Sequence, residues 1–263
     1  MIPTEIVDHI LGLLHSDQAY TTLETCSVVF PQLVDSHLYS QITFKVNVLP
    51  QDFPGLIAVK PLRFTSENYV INPTIFSHIL IQRPHVANYV RSVQILFIDR
   101  ASELEAPGIS HILSTLPRIE SIMVMIRSPD YRFDWNRLGS RFCTAFQNIL
   151  RLPSIRDVAI SNFLGFSLRQ FDDCKNLRNL LFRNVLFLEE RASIPPYLRT
   201  CSLHIDCFDG LTKLVSWMKT NTPHTLSFCI HAGQSLHCDF RTLIEACSTS
   251  LVNLDVDFNQ NGE

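Results

Sequence analysis

Apolar side chains recur along this chain in two periods. Near the N-terminus the period is helical: Ile6, Ile10, Leu13 and Leu14 stand at i, i+4, i+7 and i+8, behind Pro3 as an opening residue. After the polar break His15-Ser16-Asp17-Gln18, a second helix carries Leu23, Cys26 and Val29 inward. Pro31 then separates it from a third, with Leu33, Val34, Leu38 and Tyr39. Gln41-Ile42-Thr43-Phe44-Lys45-Val46 alternates with period two, which predicts a strand. Three such short helices bury little surface alone and must lean on a neighbour. Residues 47–72 hold Pro50, Pro54 and Pro61 without a clear period, so they are expected to connect, with one short strand. A helix is predicted over Pro73–Gln82, with Ile75, Ile79 and Leu80 on its buried side.

From residue 90 onward one motif recurs: apolar-x-x-apolar-x-apolar. It occurs as Val90/Val93/Ile95, Ile119/Ile122/Val124, Ile155/Val158/Ile160, Leu177/Leu180/Phe182, Leu198/Cys201/Leu203 and Leu251/Leu254/Val256, with a weaker copy at Pro223/Leu226/Phe228. Helical segments are expected between the copies, at Ile109–Leu116, Arg137–Leu150, Gly210–Lys219 and Phe240–Ala246. A strand followed by a helix at intervals of roughly 20 to 35 residues is the pattern of a leucine-rich-repeat solenoid with a curved parallel sheet. The intervals are irregular and no asparagine is expected after each strand, so the repeats are divergent. An ordinary α/β domain with parallel strands is the alternative. The predicted division is a helical unit over 1–44, a connecting segment over 45–72 and a repeat domain over 73–263. No capping helix follows Asp257-Phe258-Asn259-Gln260, so the last domain is expected to be truncated or uncapped.

Composition narrows the chemistry. The 263 residues include 22 basic and 25 acidic side chains, a net charge of −3 with pI near 6.4; 46% are hydrophobic and 18% charged. That composition can build a large core and gives no general pull toward nucleic acid or anionic lipid. No apolar run approaches the ~18 residues that span a bilayer, and Met1-Ile2-Pro3-Thr4-Glu5 lacks the flanks of a signal peptide. An intracellular location, cytoplasmic or nuclear, is expected. The eight glycines are too scattered for a phosphate-cradling loop or a nucleophile elbow. The eight cysteines form no C-x-x-C pair, which argues against a disulfide framework.

The opening segment resembles an F-box, in particular that of the large families of mushroom-forming fungi. The residues that carry the likeness are Ile2-Pro3-Thr4-Glu5-Ile6-Val7-Asp8-His9-Ile10-Leu11, Leu23-Glu24-Thr25-Cys26-Ser27-Val28-Val29 and Leu38-Tyr39-Ser40-Gln41-Ile42-Thr43-Phe44. Pro84-His85-Val86-Ala87-Asn88-Tyr89-Val90-Arg91-Ser92-Val93 is similar to the stretch that leads those proteins into their repeats. The resemblance implies a substrate receptor of a cullin–RING ubiquitin ligase, docked on the Skp-type adaptor through Pro3, Ile6, Ile10, Leu11, Leu23, Cys26 and Val29. It implies no catalytic residue and no cofactor. The usual tryptophan of the second segment is replaced by Phe30 or Leu33, and the run to Leu38-Tyr39 is shorter and lacks arginines. A repeat scaffold with a degenerate F-box and no ligase recruitment is therefore the second reading.

Residues alternating with the apolar ones should line the face where such repeats meet a protein partner. One predicted row holds Gln94, Met123, Ala159, Leu181, Ser202, Ser227 and Asp255. The next holds Leu96, Met125, Ser161, Arg183, His204, Cys229 and Asp257. The expected substrate contacts are Met123, Met125, Leu181 and Arg183, with His204, Asp255 and Asp257. Methionine suits adaptable recognition. A zinc site at Cys201, His204 and Cys207 with Cys229, His231, His237 and Cys238 is disfavoured, since Cys201 and His204 should point to opposite faces; a Cys229–His204 nucleophile lacks a water-excluding pocket.

Overall fold

The computed structural model describes residues 35–36, 38–46, 69–97, 108–127, 132–171, 173–174, 176–188, 202–205, 225–231, 245, 248 and 253–259, the last three strands through their backbone pairing. The first two expected helices, over residues 6–29, and the one over 210–219 lie outside them. The seven adaptor-contact residues, Pro3 through Val29, do so as well. Of the helix expected over 240–246 only Glu245 is described, and it is helical.

Nine strands form one sheet: β1 (Gln41–Val46), β2 (Tyr69–Ile71), β3 (Ser92–Phe97), β4 (Ser121–Ile126), β6 (Asp157–Ser161), β8 (Asn179–Arg183), β10 (Ser202–Ile205), β11 (Thr225–His231) and β12 (Asn253–Asn259). Their order is β12-β11-β10-β8-β6-β4-β3-β1-β2, and every pairing is parallel. A parallel pair needs a crossover that returns the chain to its starting edge. Except for β2, each new strand is added on the same side of the one before. Crossovers are nearly always right-handed, so adding strands in one direction puts every connection on one face.

The described helices obey that rule. α1 (Pro73–Gln82), α2 (Ile109–Thr115) and α3 (Ser140–Leu150) send Phe76, Ile112, Phe142 and Phe146 into a single core with Phe44, Ile95, Val124, Ile160 and Phe182 of the strands. Asn72 caps α1 by accepting the Thr74 amide at 2.8 Å, ahead of Pro73 in the first turn. The buried stripe of α1 differs from the predicted one. Pro73 and Phe76 are buried, Ile79 and Leu80 partly so, and Ile75 is 57% exposed. Phe76 takes the inward position and meets Phe44 with ring centroids 5.4 Å apart, which turns its chain neighbour Ile75 about 100° away.

β1 runs across residue 44, and β2, the one short strand expected before Pro73, pairs with it on the sheet edge. Ile42 and Phe44 are fully buried in the same core as Val93 and Ile95. Ahead of β1, residues 35–36 and 38–39 of the expected third helix are helical, and they are tied to the end of α1 by an ion pair and hydrogen bonds. The buried Asp35 carboxylate accepts Arg83 Nη1 at 2.8 Å and lies 3.1 Å from His85 Nε2, while Arg83 Nη2 donates to the Tyr39 hydroxyl at 2.8 Å.

A second, three-stranded parallel sheet joins β5 (Phe133–Asp134), β7 (Phe163–Phe166) and β9 (Leu186–Phe187). β7 and β9 follow β6 and β8 after tight corners at Asn162 (φ 65°) and Asn184 (φ 52°). Asparagine tolerates this left-handed backbone better than other residues with a Cβ. The two side chains form a ladder: Asn184 Nδ2 donates to Asn162 Oδ1 at 3.0 Å, and Asn162 Nδ2 donates to the Ile126 carbonyl at 2.7 Å. Arg132 Nε closes the row on Asn184 Oδ1 at 2.6 Å. The expectation that asparagine is missing after the strands is therefore corrected at two of them.

Candidate interaction face

The pairing register aligns residues of successive strands into three rows, which from Gln41 to Arg183 lie on the face opposite the helices. The leading row is Gln41, Ser92, Ser121, Asp157, Asn179, Ser202, Thr225 and Asn253, all polar. Its members from Gln41 to Asn179 are half-buried, and Asn179 Nδ2 donates to Asp157. A row of hydrogen-bonding groups on adjacent strands, about 4.8 Å apart, keeps that margin of the sheet wet.

The middle row is Thr43, Gln94, Met123, Ala159, Leu181, His204, Ser227 and Asp255. Here side chains bond across strands: Thr43 Oγ1 donates to Gln94 Oε1 at 2.9 Å, and Gln94 Nε2 reaches Met123 Sδ at 2.9 Å. The third row is Lys45, Leu96, Met125, Ser161 and Arg183, with Cys229 beside Asp257 further along. Thr43 and Lys45 were missed as face residues, although the period-two pattern of residues 41–46 carries the signal.

Two expectations change in this register. Leu180 pairs with Leu203, not with Cys201, and Leu203 pairs with Leu226. His204 therefore stands in the middle row between Leu181 and Ser227, away from the row of Cys229 and Asp257. Cys229 and His204 are not facing neighbours, and Cys201, Cys207, His237 and Cys238 lie outside the described residues. A shift of two residues keeps each side chain on its face while moving it one rung.

The second change concerns access. Met123 is 1% and Met125 8% exposed; with Leu96 and Ala159 they form a small apolar cluster separate from the main core, with Leu181 packed at its edge. The methionines sit on the predicted face, but closed to solvent. Leu181 and Arg183 remain half-buried. A charged residue at Met123 would be placed in an apolar cluster; in the middle and third rows the partly open described members are Gln94, Leu181 and Arg183.

The third row also holds a strained charge. The Lys45 amine is pushed below its ordinary range, first by burial and then by the nearby Arg127 guanidinium. A lysine whose folded pKa lies below its unfolded one penalises the fold while it is charged. As pH rises from the folded pKa to the unfolded value, the unfolded chain binds more protons and stability increases. Lys45→Met is accordingly expected to raise the melting temperature at neutral pH. That advantage should shrink toward about pH 10; thermal melts of both proteins at the two pH values check it. The Cys143 thiol is pushed up by burial.

Among the described residues no three His, Cys, Asp or Glu side chains gather into a metal-binding group, and no helix is long and apolar enough to cross a membrane. No protein-family model matches the chain, and a search of curated proteins finds none significantly similar. The shared feature on which a functional reading can stand is thus the architecture itself: an α/β chain with a long parallel sheet, helices on one face and registered polar and mixed rows on the other.

Proposed function

We propose that the chain is the substrate-recognition subunit of a Skp–cullin–F-box type ubiquitin ligase. In this reading the sheet is a divergent leucine-rich-repeat array and residues 1–44 are an F-box-like unit that docks the adaptor. The observation that carries the reading is the single-direction growth of the parallel sheet. Recurrent copies of one motif lie side by side in register, so equivalent residues of successive copies form continuous rows. Such an array presents many side chains to one extended protein surface and builds no enclosed pocket for chemistry.

Leu181 and Arg183, with His204, Asp255 and Asp257 further along the rows, hold the substrate; Met123 and Met125 brace the sheet from within their cluster. Partial exposure supports Leu181 and Arg183, and the pairing register alone supports the other three. Pro3, Ile6, Ile10, Leu11, Leu23, Cys26 and Val29 meet the adaptor. No catalytic residue, metal or cofactor is assigned. Ubiquitin transfer occurs on other subunits, and this chain raises the local concentration of substrate beside them.

The replacement of the usual F-box tryptophan by Phe30 or Leu33 favours a second reading, a repeat scaffold that recruits no ligase. Co-purification with a Skp-type adaptor separates the two. The full chain should retain the adaptor, and Ile10→Asp should lose it by about tenfold or more, as for a buried interface anchor. Equal adaptor recovery from both proteins, or none from either, would overturn the ligase reading and leave the scaffold.

A further inference from the structure

The residues just ahead of the strands form a row of their own. The Glu120 amide donates to the Arg91 carbonyl at 2.7 Å, the Arg156 amide to the Glu120 carbonyl at 2.8 Å, and the Arg178 amide to the Arg156 carbonyl at 2.7 Å. Arg91, Glu120, Arg156 and Arg178 thus stand side by side along the leading rim of the sheet. Arg91 and Glu120 answer each other, with Arg91 Nε 3.5 Å from Glu120 Oε1. Arg156 and Arg178 do not. Both are exposed, they occupy adjacent chains of a parallel pair, and neither guanidinium has a hydrogen bond or ion pair among the described residues.

Like charges about 4.8 Å apart on neighbouring strands repel. The pair has a counterpart in an anionic group that accepts from both forks at once. Arginine suits this role, because its planar donors meet a carboxylate in two parallel bonds. We propose that Arg156 and Arg178 form a docking ledge for an acidic segment of a partner protein, with carboxylate side chains at alternate positions of an extended peptide. Those side chains repeat at roughly 6.8 Å, within the spread of two arginine heads. The neighbours define the length of the segment. Glu120 lies exposed on one side and Asp157 follows Arg156 in the chain, so among the described residues the positive stretch is two residues wide. It fits a short cluster of carboxylates and opposes a continuous polyanion such as a nucleic acid. The ledge lies outside the three rows of the interaction face and does not depend on adaptor docking.

Fluorescence anisotropy on the full chain tests this with a labelled peptide of alternating glutamate and serine, its glutamine-for-glutamate counterpart, and oligothymidylate. The glutamate peptide should bind and the glutamine peptide should not. The double variant Arg156→Glu/Arg178→Glu should weaken binding by about tenfold or more. Charge reversal sets two glutamates side by side next to Glu120, so the fold is checked on the neutral pair Arg156→Gln/Arg178→Gln, whose melting temperature should not fall below that of the parent because a repulsion has been removed. The neutral pair should also lose binding. Arg141→Glu, at an exposed arginine on α3, should leave affinity within about twofold. Undiminished binding in both double variants, equal binding of the glutamine peptide, or tighter binding of oligothymidylate through the same two arginines would overturn the proposal.

Discussion

Replacing Trp135 with alanine is expected to destabilise the fold by about 3–5 kcal/mol. Trp135 is 2% exposed and sits where the short sheet meets α3. Its ring lies edge-on to those of Phe166, Phe163, Phe146 and Phe142, with centroids 4.7, 5.0, 5.2 and 6.2 Å away. These four side chains come from β7 and α3, so the indole is the shared packing partner of a strand and a helix. Its loss leaves a large cavity that close-packed neighbours fill only in part. Trp135→Phe should cost much less, about 1–2 kcal/mol. It keeps an aromatic edge in place and removes an indole N–H that has no hydrogen-bond partner. Chemical denaturation followed by circular dichroism measures both. Equal losses for alanine and phenylalanine would mean that the N–H, not the volume, anchors the residue.

Asn162→Ala is expected to cost about 2–5 kcal/mol, from two separable causes. The left-handed backbone at φ 65° is unfavourable for alanine by about 1–2 kcal/mol. The side chain also links three strands, donating to the Ile126 carbonyl and accepting from Asn184, and each such bond contributes about 0.5–1.5 kcal/mol net. Asn162→Gly relieves the backbone and loses only the side-chain bonds, so its cost should be roughly half that of alanine. The difference between the two variants, read from the same denaturation curves, isolates the conformational contribution. Identical costs would show that the corner is held by hydrogen bonds alone.

The sequence was readable where one periodicity dominated. Pro73–Gln82 was expected as a helix and is one, since Pro73 and the Asn72 cap fix its start and Pro84 follows its end. The strand over Gln41–Val46 and the motif copies at β3, β4, β6 and β8 were equally legible, because alternation places Val93, Ile122, Val158 and Leu180 inward whatever surrounds them. Register was less so. Cys201, Leu203 and Ile205 alternate as well as Leu180 and Phe182 do, and a two-residue slip preserves the pattern; only pairing with β8 shows that Leu203 is the partner of Leu180. The asparagine corners escaped notice because Asn162 and Asn184 come one position earlier than in the usual repeat.

The candidate site was legible as a face and not as a surface. Alternation assigns Met123, Met125, Leu181 and Arg183 to the side opposite the helices, as observed. Burial, however, is set by tertiary packing that no local pattern encodes, and it closes the two methionines while leaving Leu181 and Arg183 partly open. The arginine ledge depends on three carbonyl–amide contacts between segments far apart in the chain, which sequence spacing alone does not align.

Neighbouring substitutions in β8 provide the most direct measurement of whether the sheet at this strand is sealed on its helix side and open on the other. Leu180 is fully buried against the helices and Leu181 is half-buried on the opposite side. Leu180→Asp, which buries an unpaired carboxylate, should abolish cooperative thermal unfolding. Leu181→Asp should melt within about 5 °C of the parent chain. Loss of cooperative unfolding in both variants would contradict the account, since it would mean that the sheet is covered on both sides at the strand assigned to recognition.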